Sequence, residues 1–281
     1  MAIRPGGSFL SMLRAVLLGG AILVIGGGVS GALMVANLRL APTLPLFLPG
    51  TVLWLWLLWA FARGDGWPRG TSDARRGLLR ASKLSAGVWI WALIAGGLAV
   101  TAVMGLAFVT YRLAVLPEAA YRAPFDVSAL PPWTQVSIFA AVALTAAVVE
   151  ESAFRGYMLT GLQRRHGWPV AIGIVSILFY LAHLSHAYAT LAFLPFFLAH
   201  GLVMGLMVYF TRSIVPGIVL HAVSDLIVLP MQYGVIPSAG EWPFVGQGWM
   251  SLVAGIASVP AFRRLARMTL SLRTETKDSG A

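Results

Sequence analysis

The sequence predicts an all-α fold, a polytopic membrane bundle of about eight transmembrane helices with both chain ends on the cytoplasmic side. Three observations carry that expectation. Of 281 residues, 58% are hydrophobic and 11% charged, and the mean hydropathy is +0.82, whereas a soluble domain carries about 25% charged residues. The apolar residues fall into blocks of the ~20 residues that cross a hydrocarbon core. The basic residues collect at alternate block ends.

The first block, near 10–36, follows a basic start and is longer than the roughly 7–15 apolar residues of a cleaved signal peptide, so it reads as a retained anchor. Further blocks lie near 44–62, 86–110, 134–160, 169–187, 190–210, 214–231 and 244–261, the fifth to seventh joined by very short turns. Glycines in "GGAILVIGGGVSG" and "AGGLAVTAVMG" suit close helix approach; no strand precedes them, so they are not phosphate loops. Tryptophans in "WLWLLW" and "VWIW" suit interfacial anchoring, and the basic loop 63–83 reads as a lipid-facing orientation signal. No repeat is visible. The chain divides into N-terminal helices with the basic loop (1–133), a core of helices four to seven (134–231), and a last helix with a basic polar tail (244–281).

With the N-terminus inside, one side collects Arg4, Arg14, Arg63, Arg69, Arg75, Arg76, Arg80, Lys83, Arg164, Arg165, Arg212, Arg263, Arg264, Arg267, Arg273 and Lys277; the other holds Arg39, Arg112 and Arg122. Sixteen against three favours an N-in, C-in arrangement of eight spans. The net charge of +10 therefore points to anionic lipid as a partner and not to nucleic acid. With no cysteine, disulfides, iron–sulfur sites and thiolate nucleophiles are excluded. Catalysis must use His, Asp, Glu, Ser or a metal held by such groups.

Ionisable groups at mid-membrane cost at least about 2.5–3.5 kcal/mol each and so mark function. Those within spans are Glu150, Glu151, Arg155, His183, His186, His200, His221 and Asp225, all in spans four to seven. On a helix, Glu151 and Arg155 share a face at i,i+4 and can neutralise one another. Adjacent residues diverge by about 100°, so Glu150 and Glu151 are not expected to face one cavity, and Glu150 is left as the free carboxylate. Phe179, His183 and His186 share a stripe on the next helix, with Phe179 packing against the site. Asp225 lies one turn after His221, where a carboxylate can orient the imidazole. Reflection across the "HGWP" turn sets Glu150 and His183 at matching depth, and reflection across Thr211 and Arg212 does the same for His200 and His221. His186 and His200 read as polar residues near helix ends, and His166 as a solvated turn residue.

Two mechanisms fit. In one, Glu150 and His183 deprotonate a water that attacks an amide, while His221 and its neighbour stabilise the tetrahedral oxygen. In the other, His183, His221 and Asp225 hold Zn²⁺, which generates hydroxide; the usual HExxH spacing is missing. The cofactor expectation is therefore none or zinc.

"EESAFR", "FYLAH" and "HAVSD" resemble the EExxxR, FxxxH and HxxxN/D motifs of the CPBP intramembrane proteases, which include the type II CaaX prenyl proteases and the bacterial Abi group. The similarity runs from about residue 135 to 230. It implies an endopeptidase in an eight-helix membrane bundle, either glutamate-type or metal-dependent. Glu150 and His183 would activate water, His221 with Asp225 beside it would support the oxyanion, and Glu151, Arg155 and Phe179 would be supporting residues. The prenyl-protease branch has Asn where Asp225 stands; Asn can donate to an oxyanion, whereas an ionised Asp only accepts.

The functional expectation is hydrolysis of a peptide bond in a membrane-associated or prenylated-type peptide by an integral protein of a bacterial inner membrane. A non-catalytic membrane scaffold is the first rival. The second is a proton-coupled transporter, which would use the same residues as a relay but calls for repeats that the first three spans lack.

Overall fold

A computed structural model describes residues 8–117, 120, 126–233, 235 and 244–278. Ten α-helices are seen among them: α1 (Phe9–Leu40), α2 (Phe47–Ala62), α3 (Ser72–Leu79), α4 (Ala86–Leu113), α5 (Pro132–Glu150), α6 (Leu159–His166), α7 (Trp168–Ala182), α8 (Leu194–Thr211), α9 (Val215–Gln232) and α10 (Phe244–Asp278). A π-helical segment, Glu151–Met158, joins α5 to α6, so Pro132–His166 runs as one helix. The fold is all-helical, with no strand among the described residues. Phe9–Leu40, Ala86–Leu113, Pro132–His166, Leu191–Thr211 and Val215–Gln232 are long and apolar enough to cross a bilayer. With a composition that is 58% hydrophobic, they mark an integral membrane protein.

Three elements depart from their expected bounds, the first being the fourth block, which runs on from 160 to His166. The fifth block stops at Ala182 instead of 187, leaving α7 with 15 residues, or about 22 Å, short of the ~30 Å hydrocarbon core. Its C-terminal His183 turns Nδ1 onto the Phe179 carbonyl at 2.7 Å, and the chain leaves the helix through the polar "HLSHAYAT". The last helix continues from the expected 261 to Asp278, because "AFRRLARMT" is amphipathic. Ala261, Leu265 and Thr269 are buried at i,i+4 steps while Arg263, Arg264 and Arg267 stay exposed.

Packing follows the small residues. A side-chain carbon added to Gly19 of α1 would lie 2.9 Å from the Ala153 carbonyl oxygen, and one on Gly201 of α8 would meet the Ser176 Cα of α7 at 2.9 Å. Only glycine permits those approaches, the second of which seats α8 against α7 beside the polar cluster. Gly20, Gly27, Gly28 and Gly31 of α1 meet open space, so four of the six glycines in the first run serve no contact. α4 pairs with α10, α5 with α9, and α1 lies along the π segment and α6.

The two ends of the bundle differ. At one end, the Ile214 amide donates to the Arg80 carbonyl at 2.9 Å, Arg80 Nη1 donates to Gln163 Oε1 at 2.5 Å, and the Tyr157 hydroxyl donates to the Ala62 carbonyl at 2.9 Å. Buried Arg75 fixes α3 by donating to the carbonyls of Phe61, Gly66 and Pro68. The loop read as lipid-facing therefore contributes structure: α3 lies against the π segment, with Leu78 and Leu79 buried. Burial, then the charges of Arg212 and Arg164, lower the Arg80 guanidinium to about 10. At the other end, Trp133 Nε1 donates to the Thr43 carbonyl at 2.9 Å and Phe139 packs on Tyr233. Arg4 and Arg122 lie outside the described residues.

Candidate active site

The in-span ionisable residues gather where the π segment, α7, α8 and α9 meet, and His221 is their hub. Its Nδ1 lies 3.0 Å from Glu151 Oε1, which itself accepts from Arg155 Nη1 at 3.1 Å. Its Nε2 points the other way, 3.6 Å from Asp225 Oδ2 and 3.9 Å from Glu150 Oε2, in ion-pair range but beyond a hydrogen bond. A carboxylate only accepts, so Glu151 fixes the proton of His221 on Nδ1.

This arrangement corrects one expectation. Glu150 and Glu151 do leave their helix in different directions, yet both face the same cluster. One imidazole presents two nitrogens on opposite edges, and each carboxylate takes one. The carboxylate that orients His221 is accordingly Glu151 at 3.0 Å, with Asp225 a looser second at 3.6 Å. Gly217 makes room, since a side-chain carbon there would press on Glu151 Oε2 at 3.3 Å.

Arg155 also reaches His200, with Nη2 3.3 Å from Nδ1; the guanidinium can only donate, so Nδ1 accepts. His200 stands edge-on to His221 at a centroid distance of 5.5 Å, as matched depth anticipated. It is 4% exposed and so belongs to the interior of the cluster, not to a polar helix end. Phe179 packs against His200, His183 and Arg155. It stacks on His200 at 5.3 Å, touches the His183 ring at 4.4 Å, and holds the Arg155 guanidinium 4.4 Å from its centroid.

His183 forms the rim with His186, whose ring lies 5.6 Å away, and packs inward on the buried Phe197 at 5.0 Å. Since Nδ1 donates to a carbonyl, Nε2 is the free lone pair. Among the described residues no hydrogen bond or ion pair joins His183 to Glu150, so equal depth has not produced direct contact. Tyr188, which sequence reasoning overlooked, stacks on His186 at 5.4 Å and lies within electrostatic reach of Glu150 and Asp225. Its place depends on the turn after α7, which no local signal set.

Exposure splits the cluster. The side chains of Glu151 and Arg155 are 0% and 1% exposed, while those of Glu150 and Asp225 are 18% and 26% exposed. Glu150 Oε2 has no hydrogen-bond partner. Among the described residues no three His, Asp or Glu side chains converge as a metal-ligand set. The suggested trio of His183, His221 and Asp225 is not drawn together as a ligand set in this arrangement.

Residues 132–227 match the family model of the Rce1-like type II CAAX prenyl endopeptidases, a span covering all three motifs. No curated protein and no solved structure matches the chain. Within that segment the resemblance to the CPBP and CaaX proteases holds.

Proposed function

We propose, from a chain whose residues 132–227 carry the Rce1-like type II CAAX prenyl endopeptidase family's features, an intramembrane endopeptidase that hydrolyses a peptide bond of a membrane-associated or prenylated-type peptide. The observation that carries this reading is the contrast between the two glutamates. Glu151 Oε1 is held by Arg155 and His221 in a side chain shut off from solvent, whereas Glu150 makes no side-chain hydrogen bond among the described residues and its side chain is 18% exposed. A carboxylate beside an imidazole, with no hydrogen bond committing its oxygens, is equipped to take a proton from water.

In this mechanism water binds between Glu150 and the free Nε2 of His183. Glu150 accepts its proton as the oxygen attacks the amide carbon, and later returns that proton to the leaving amine. In this reading His221 carries a proton on both nitrogens: Nε2–H faces the oxygen that becomes negative, while Nδ1–H, held by Glu151, keeps the ring in place. Asp225 tunes that edge. Glu151, Arg155, Phe179 and His200 are positioning residues, since they touch one another and His221 and lie beneath the accessible edge.

The proposed setting is an eight-span, N-in and C-in protein of a bacterial inner membrane, with anionic lipid at its basic end. The test is cleavage by purified protein in detergent, wild type beside Glu150→Gln, against membrane-anchored and prenylated peptides, with and without chelator. Wild-type cleavage that the mutant loses supports the reading. Loss of wild-type activity on chelation would replace the glutamate mechanism with a metal-dependent one.

A further inference from the structure

The two ends of the bundle differ in charge and in what covers the polar cluster. Contacts already described gather Arg63, Arg75, Arg76, Arg80, Lys83, Arg164, Arg165 and Arg212 at one end. The C-terminal part of α10 joins them there: its buried Leu265 clusters with Val88 and Ala92 of α4, so Arg263, Arg264 and Arg267 lie on that end too. The opposite end has only Arg39 and Arg112 among the described residues. By the positive-inside rule the first end is cytoplasmic.

The cluster is sealed on that side. Going from Glu150 toward His166, every residue from Glu151 to Gln163 is buried, and α3 covers the π segment with Leu79 at 0% exposure. In the other direction the seal ends. The α7–α8 hairpin turns at His183, and Leu184, Ser185, His186 and Ala187 are exposed, while α5 runs on for about 27 Å toward Pro132. The accessible members of the cluster stand on this side of their buried partners: Glu150 above Glu151, and Asp225 one turn above His221.

We infer that the site is entered from the end opposite the basic cluster, and that its substrate is a membrane-anchored peptide whose scissile bond lies on the non-cytoplasmic side. That is a different substrate class from a lipid-modified chain terminus on the cytoplasmic leaflet. The word substrate rests on the endopeptidase reading; the direction of entry does not.

The cysteine-free chain suits a direct test. Ser185→Cys and Ala187→Cys mark the hairpin turn, and Ala74→Cys and Ser82→Cys mark the basic end; all four positions are exposed. Intact bacteria expressing each full-length variant are treated with a membrane-impermeant maleimide, and again after permeabilisation. The expected result is labelling at 185 and 187 in intact cells, with labelling at 74 and 82 lost unless the membrane is opened. The reverse pattern, or equal labelling of both pairs in intact cells, overturns the inference. Two variants on each face guard against one that fails to accumulate. A second arm offers a membrane-anchored reporter with its cleavable segment on either face, and cleavage confined to the non-cytoplasmic reporter is expected. Labelling needs no activity, so an inert protein labelled at 185 defeats the endopeptidase reading alone. Labelling at 82 with an active protein defeats only the direction of entry.

Discussion

The lower and upper layers of the polar cluster contain the same kinds of side chain and treat them differently. Below, Glu151, Arg155, His200 and the Nδ1 edge of His221 are shut away from solvent and joined in one network. Above, Glu150, Asp225, His183 and His186 are partly exposed, and Glu150 makes no side-chain hydrogen bond among the described residues. Buried ion pairs seldom add stability over apolar packing, but breaking one is costly. The lower layer therefore holds geometry, and the upper layer is free to exchange protons. Substitutions that separate activity from stability put this division at risk.

The largest effect is expected at Glu150. Glu150→Gln keeps the shape and removes the proton acceptor, so turnover should fall by about 10²–10⁴-fold while the thermal unfolding midpoint in detergent stays near wild type. Peptide cleavage and unfolding on one preparation check this. A mutant that retains activity would move the chemistry elsewhere.

Arg155→Met should act in the opposite sense. It removes the donor to both Glu151 and His200 and leaves a buried carboxylate opposed by His221 alone, for a loss of about 3–5 kcal/mol. The unfolding midpoint should drop sharply. Adding Glu151→Gln should cost less than the sum of the single changes, since the stranded charge goes too. Strict additivity would show that the pair is not a unit.

Phe179→Leu is smaller. It keeps an apolar residue but takes away the ring that stacks on His200 and supports the Arg155 guanidinium. Aromatic and cation–π contacts of this kind are each worth about 0.5–2 kcal/mol, so a loss of that order is expected, with activity lowered in step with stability. An activity loss without destabilisation would place Phe179 against substrate.

What could be read from the sequence had one thing in common: each reading concerned neighbours along one helix or across one turn. The Glu151–Arg155 pair follows from i,i+4 spacing, and the facing of His200 and His221 follows from reflection through Thr211 and Arg212. The meeting of His221 with Glu151 links residues on α9 and the π segment, and no periodicity specifies that packing. The π turn in "ESAFRGYM" has no propensity signal, and its eight residues are all buried against α1, α3 and neighbouring helices. The early end of α7 was masked by hydrophobic residues on both sides of the turn.

The smallest effect is expected at Asp225, where the comparison is sharpest. If Asp225 fixed the His221 ring, Asp225→Asn would cost as much as a change at Glu151. Its oxygen is 3.6 Å from Nε2, against 3.0 Å for Glu151 at Nδ1, and its side chain is 26% exposed. The ring should therefore stay in place, held from the buried edge. Asn can also donate toward an oxyanion where an ionised Asp cannot, which offsets the lost charge. Activity should stay within about tenfold of wild type, a barrier change under about 1.4 kcal/mol. Steady-state cleavage by Asp225→Asn and Glu151→Gln on one peptide decides the matter. If the Asp225 change is the more damaging, the hub is held from its exposed edge, and the division into a structural and a chemical layer fails.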